Sequence, residues 1–176
     1  NMENNPTFVA DGLNGQPAVA FHNNAELYTT FNFDSALDNH TILTVGRYAG
    51  GQHRRIFDSR SHNWLFGFWS NGTKQWHADG GILNGGDNNE DWHLHAGTMN
   101  NDPDPKANFW RDGEKLVTDN TGSNNNSYKP GVLSIGGVGE WSDAEVAEVL
   151  FFDRVLTADE LNDIGGYLNN KYALGF

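Results

Sequence analysis

Three carboxylates, Asp143, Glu145 and Glu148, fall close together late in the chain. Alternate residues of a strand share a face, so residues 143 and 145 would point the same way, and residue 148 would join them if a β-bulge intervened. Carboxylates so grouped can perform glycoside hydrolysis, one as acid and one as nucleophile or base. The competing reading is structural. Glu148 lies inside an apolar run, residues 146–152, and a carboxylate there needs hydrogen-bond donors. Backbone N–H groups of a neighbouring loop are the expected source.

A second acidic set is spread over two loops: Asp87 and Asp91, with Glu90 between them, then Asp102 and Asp104. Calcium takes six to eight hard oxygens from such loops, so these aspartates are the candidate calcium ligands. The spacing is not that of an EF-hand, and loop acids also serve solvation. A third set is aromatic. Sugars stack their C–H faces on indole rings while amides, carboxylates and guanidinium groups take their hydroxyls. Trp69, Trp76, Trp110 and Trp141 lie near strand ends or turns, with Arg60, Asn71, His77, Asp79 and Asn84 as polar company. These residues are the candidate carbohydrate contacts, set against the general tendency of tryptophan to fill cores. Trp64 and Trp92 are assigned to the core. His93 and His95 share a strand face, a spacing suited to zinc, but no third ligand is evident.

Composition removes several classes. The chain has no cysteine, hence neither disulfides nor thiol chemistry, and no Gly-x-Ser-x-Gly elbow, phosphate loop or dinucleotide motif. Its net charge is −12 with 11 Lys plus Arg in 176 residues, and no basic patch, which argues against nucleic acid and anionic membranes as partners. The same field disfavours acidic polysaccharides unless calcium intervenes. No apolar run approaches the roughly 20 residues that span a bilayer. High Asn and Gly, scarce Lys and overall acidity read as a secreted or cell-surface bacterial module, and the opening Asn-Met-Glu-Asn-Asn as one excised from a longer chain with neighbouring domains.

The elements that would position these groups are mostly strands. Residues 17–21, 26–33, 40–48, 54–58, 64–69, 74–78, 92–98, 109–111, 114–117, 132–136 and, apolar on both faces, 146–152 carry strand patterns; Asn71-Gly72 and Asp112-Gly113 mark hairpins. Within 64–69 (WLFGFW), Trp64, Phe66 and Phe68 fall on one face. Residues 79–91, 99–106 and 119–129 read as loops. Thr157-Ala-Asp-Glu160 is a capping box opening a helix with an apolar stripe, Leu161, Ile164, Leu168 and Tyr172. Strand signals every 8–12 residues and one terminal helix predict a single all-β domain, an antiparallel β-sandwich.

Residues 145–174 (an apolar strand with an internal Ala-Glu-Val, an Asp-Arg-x-Leu corner, Thr-x-x-Glu, then Tyr-Leu-x-x-Lys-Tyr) resemble the end of laminin-G-like jelly-roll domains of the concanavalin A-like lectin/glucanase superfamily. Residues 12–21, the Trp92-His93 segment, the aromatic pair before Asp112-Gly113 and Gly136-Gly137 fit the same habit more loosely. The resemblance implies a concanavalin A-like jelly roll with a short C-terminal helix. It also implies that Glu148 is structural and Trp141 an apolar anchor. Glycoside hydrolases of the superfamily carry Glu-x-Asp-x-x-Glu; here the first two residue types are exchanged. The expected function is a non-catalytic carbohydrate-binding module taking a poly- or oligosaccharide, with calcium ordering the rim loops. The alternatives are a structural or adhesive module, and a glycoside hydrolase using Asp143, Glu145 and Glu148.

Overall fold

The computed structural model describes residues 5–35, 39–78, 80–101, 106–120 and 129–176. Among them the chain forms β1 (Thr7–Leu13), β2 (Gln16–Phe21), β3 (Leu27–Tyr28), β4 (His40–Tyr48), β5 (Phe57–Ser59), β6 (Trp64–Trp69), β7 (Gly72–Ala78), β8 (Gly81–Gly85), β9 (His93–Asn100), β10 (Lys106–Arg111), β11 (Glu114–Asn120), β12 (Leu133–Ile135) and β13 (Ala144–Phe152), then helix α1 (Ala158–Tyr172). They build two antiparallel sheets, one of seven strands in the order β1-β2-β13-β4-β9-β10-β11 and one of six in the order β3-β12-β5-β6-β7-β8. The expected all-β sandwich is the fold observed.

The alternation read in WLFGFW holds. Trp64, Phe66 and Phe68 are fully buried between the sheets, against Tyr48, Phe57, Trp76 and Phe109. Each such ring contributes roughly 1.5–3 kcal/mol of burial, so this cluster is the main force joining the layers. Rings also meet edge-on, as Phe66 does with Trp76 at 5.3 Å. Two strands escaped the sequence pattern. β1 mixes Gly and Asp into an exposed edge, and β8 is hidden in Gly/Asn-rich chain expected to be loop. Of residues 26–33, only Leu27 and Tyr28 pair, and a single 3-10 turn follows at Phe33–Ser35.

β13 is central and covered on both sides. A bulge between Val146 and Glu148 leaves Ala147 unpaired and shifts the alternation by one. Val146, Val149 and Phe151 therefore pack between the sheets, while Ala147, Leu150 and Phe152 pack under α1. The helix starts at the predicted capping box: Thr157 Oγ1 accepts from Glu160 N (3.3 Å), and Thr157 N donates to Glu160 Oε2 (2.9 Å). Arg154 forks onto the same carboxylate at 2.6 and 2.8 Å. Arg154 first, then the Thr157 N–H, hold that carboxyl down to about 2. Leu168 and Tyr172 are buried against Leu43, Val45, Leu94 and Ala96 of the seven-stranded sheet.

Glu148 takes different donors from those expected. It accepts from Lys171 Nζ (2.7 Å) and Tyr172 OH (3.0 Å) of the helix, not from loop amides. The bulge explains this, because it turns residue 148 outward onto the helix face. Two predictions follow from the docked helix. Glu148→Ala removes the acceptor from both helix side chains and should cost about 1–2 kcal/mol in denaturant unfolding. Gly165→Ala, where an added Cβ meets open space, should raise stability by up to ~1 kcal/mol. A fall in the urea midpoint for Gly165→Ala, or an unchanged one for Glu148→Ala, would contradict the docking geometry.

Candidate rim cleft

At one rim of the sandwich, residues 51–54, 70–71 and 139–141 enclose an open cleft of about 680 Å³, most of its lining polar: Gln52, His53, Arg54, Asn71, Glu140 and the indole of Trp141. Each wall has a local cause. Ser70 and Asn71 (φ 51° and 69°) are the central residues of the β6–β7 hairpin, a type I′ geometry that asparagine tolerates. Gly137 (φ 91°) lets residues 137–141 approach, since a Cβ there would lie 2.8 Å from the Arg55 carbonyl oxygen.

Main-chain hydrogen bonds tie the walls together. Asp143 N donates to Gln52 O (2.8 Å), its carbonyl accepts from Ala49 N (2.9 Å), and its Oδ2 accepts from Gln52 N (3.0 Å). Arg55 N donates to Glu140 O (3.1 Å), and Asn71 N to His53 O (3.0 Å). Ser142 Oγ accepts from Arg54 N at 2.8 Å. Below, His53 stacks on Tyr48 at 4.3 Å, and the Tyr48 hydroxyl donates to Arg54 O at 2.7 Å. Burial raises the Tyr48 hydroxyl well above the usual phenol range, so it stays a donor.

Two carboxylates hold the cationic wall. Asp58 is buried and accepts from Arg55 Nη1 (3.0 Å), Ser59 N (2.8 Å) and Val138 N (3.0 Å). Burial raises its pKa despite the neighbouring Arg55. Glu140 forms an ion pair with Arg55 Nε at 2.7 Å and accepts from Trp69 Nε1 at 3.3 Å. An indole face, two amides, a guanidinium and a carboxylate thus line one cleft whose backbone is fixed.

The predicted carbohydrate contacts separate. Trp69 is half-buried at the cleft, bonded to Glu140. Trp76 is fully buried between the sheets and has no face to offer a ligand. Trp110 packs under α1, beside an apolar cavity of about 150 Å³. His77 accepts from Asn63 Nδ2 (3.0 Å) on β7, and Arg60 stacks over Tyr28 (4.1 Å) and pairs with Glu26 (3.3 Å) at the β3 edge. Neither lines the cleft. Asp79 lies outside the described residues. Trp64 is in the core as expected; Trp92 is half-buried, with the Arg47 guanidinium 5.1 Å from its ring centroid.

The other constellations also disperse. Asp143 ties the entry of β13 to residues 49 and 52 beside the cleft. The bulge does bring Glu148 to the outer face shared with Glu145, but Glu145 pairs with Arg47 at 2.8 Å and Glu148 with Lys171. Asp143 is bonded to His22 and the Gln52 amide, so all three carboxylates are engaged by neighbouring groups. Asp87 is neutralised by Lys74 (2.6 Å) and Arg111 (3.0 Å), Lys74 foremost in holding its carboxyl below the ordinary range. Asp91 is exposed, and Asp102 and Asp104 lie outside the described residues. Among the described residues no three His, Asp or Glu side chains gather as a metal site. His93 faces Asp112 (2.6 Å) and Asn89 (2.8 Å), while His95 Nε2 donates to Thr73 O (2.7 Å), so the zinc spacing is used for internal bonds.

Gln52, Arg54 and Glu140 were not singled out as contacts by sequence, and Trp141 was set against its reading as an apolar anchor. The only available signal was the Gly-rich segment Gly136-Gly-Val-Gly-Glu-Trp141, a tight turn that ends in an indole.

No family model and no curated protein sequence matches the chain. Solved structures do. Domain 4 of AbnA, a GH43 extracellular arabinanase from Geobacillus stearothermophilus solved with arabinotriose, superposes with a TM-score of 0.60 at 10% identity, over 94% of this chain and 83% of that one. A Trypanosoma rangeli sialidase in complex with sialic acid gives 0.60 at 13% identity, over 88% of this chain but 28% of the sialidase. The receptor-binding domain of botulinum neurotoxin type G gives 0.56 at 12%, over 93% and 44%. The chain therefore spans under half of the last two. At these identities the likeness establishes the β-sandwich fold.

Burial depresses His95 and, with a smaller push from Lys129, His40 from the ordinary 6.5 to about 3, so both stay neutral in the fold. The unfolded chain alone takes up these protons below pH 6.5. Stability should therefore be full above that pH and fall towards pH 3, by up to about 1.4 kcal/mol per pH unit for each histidine. Urea midpoints at pH 7 and 4.5 test this: His95→Phe should flatten the dependence, and an unchanged slope would refute it.

Proposed function

We propose that this chain is a non-catalytic saccharide-binding module of laminin-G-like type, acting outside the cell, with the rim cleft as its site. The observation that carries the reading is the Trp141 indole in a cleft otherwise lined by Gln52, His53, Arg54, Asn71 and Glu140. An aromatic face supplies stacking for a sugar ring, and planar polar groups around it supply donors and acceptors for hydroxyls. The fixed backbone limits the ordering cost of binding. A similar fold solved with arabinotriose lends support. The neutralised carboxylates of β13 favour binding without catalysis.

A second reading, a protein-contact or adhesive module joined to neighbouring domains, draws on the exposed Leu27, Tyr28 and Phe31 at the β3 edge. A glycan array followed by titration calorimetry separates the two. Trp141→Ala should fold normally and weaken saccharide binding at least tenfold, about 1.4 kcal/mol. Undiminished binding would remove the cleft from consideration, and no binding to any glycan would favour the adhesive reading. Titrations in calcium and in EDTA test whether calcium, drawn to Asp91, Asp102 and Asp104, orders the rim, or whether the Asp87 ion pairs suffice.

A further inference from the structure

We infer that Glu140 sets the charge class of the saccharide: it reserves the cleft for neutral sugars by standing against Arg54, which without it would clamp a sugar carboxylate. This rests on the reading of the cleft as a saccharide site.

Arg54 is the cation in the cleft with donors to spare. Its side chain is 59% exposed, and its one ion pair among the described residues is with Glu140, at 3.9 Å. A guanidinium with free N–H groups beside an indole is well shaped for a planar carboxylate, which it grips with two parallel hydrogen bonds. Glu140 cannot swing aside to permit this. Arg55 Nε and Trp69 Nε1 both bind its carboxylate, and its carbonyl accepts from Arg55 N. Arg55 cannot be diverted either, because Asp58 and Asn63 take its other nitrogens.

The remaining charges around the cleft do not relieve the repulsion. Asp143 is held by His22 (3.2 Å) and the Gln52 amide, and Glu90 lies 3.4 Å from His53. A uronate or sialate reaching for Arg54 would thus bring its carboxylate alongside a fixed negative charge, within the screening length of physiological salt. A neutral sugar meets no such opposition. One hydroxyl of a vicinal pair can donate to Glu140 while its neighbour accepts from Arg54.

The test is a binding ratio. Calorimetric titrations would use neutral probes (arabinotriose, cellotriose, galactotriose) and acidic ones (trigalacturonate, sialyllactose). The native protein should favour its best neutral probe over the best acidic one by about tenfold or more at low salt. That ratio should narrow as salt rises from about 0.05 to 0.5 M. Glu140→Gln should shift the ratio at least tenfold towards acidic probes, and adding Arg54→Gln should cancel the gain. Glu114→Gln, the same charge change on β11 of the opposite sheet, should leave the ratio alone. A ratio indifferent to salt overturns the inference even if the Glu140 variant fails to fold. So does a Glu140 variant that behaves like the Glu114 one. A native preference for acidic probes defeats it and leaves the saccharide reading standing, whereas binding to no probe defeats both.

Discussion

The fold depends on one strand being apolar in two directions at once. β13 lies between β2 and β4 in the seven-stranded sheet, and its bulge at Ala147 sends consecutive apolar residues to different cores. Val149 and Phe151 complete the aromatic layer between the sheets, while Leu150 and Phe152 make the floor on which α1 rests. A strand without the extra residue would keep strict alternation and could not also turn Glu148 towards Lys171. The helix carries two adjacent glycines and few intrinsic reasons to form, so it persists because that floor exists. Thr41 supports the corner between them: its hydroxyl donates to Arg154 O (2.9 Å) and accepts from Leu156 N (3.0 Å).

The same sheet architecture explains how the cleft arises. Strand ends converge at one rim, and the three connecting segments there belong to distant parts of the chain. Asp143 and Ser142, at the entry to β13, bind backbone N–H groups of residues 52 and 54. Carboxylate and hydroxyl are used as cross-chain fasteners here, so the Asp143 that first suggested hydrolysis also ties two segments of the chain together. Burial of Asp58 beneath Arg55 extends the same principle one layer inward, since its second oxygen takes the Val138 amide and pins the loop that carries Glu140 and Trp141.

How much of this the sequence disclosed follows from the range of the interactions. The capping box, the Asp112-Gly113 hairpin and the WLFGFW strand are decided by neighbours a few residues apart, and each appears where its pattern placed it. β1 and β8 are held by pairing with one adjacent strand and carry no apolar alternation of their own, so composition concealed them. The tryptophans could not be sorted from sequence. Trp76 and His77 are neighbours on one strand with opposite destinations, and nothing local says which side meets the other sheet. The cleft was least legible, because its walls come together only once both sheets have closed.

The Tyr28 ring shows what a free surface needs in order to stay ordered: Arg60 lies over it, Glu26 steadies Arg60, and Ser134 donates to Glu26 at 2.7 Å. The cleft is organised the other way, from the main chain outward. Main-chain bonds of residues 52–55, 71, 140 and 143 hold it, so the exposed Gln52 and Asn71 side chains stand on a frame built without them. Replacing them would redraw the surface without disturbing the frame. A chain built so can change the chemistry of one rim while the sandwich beneath it stays as it is.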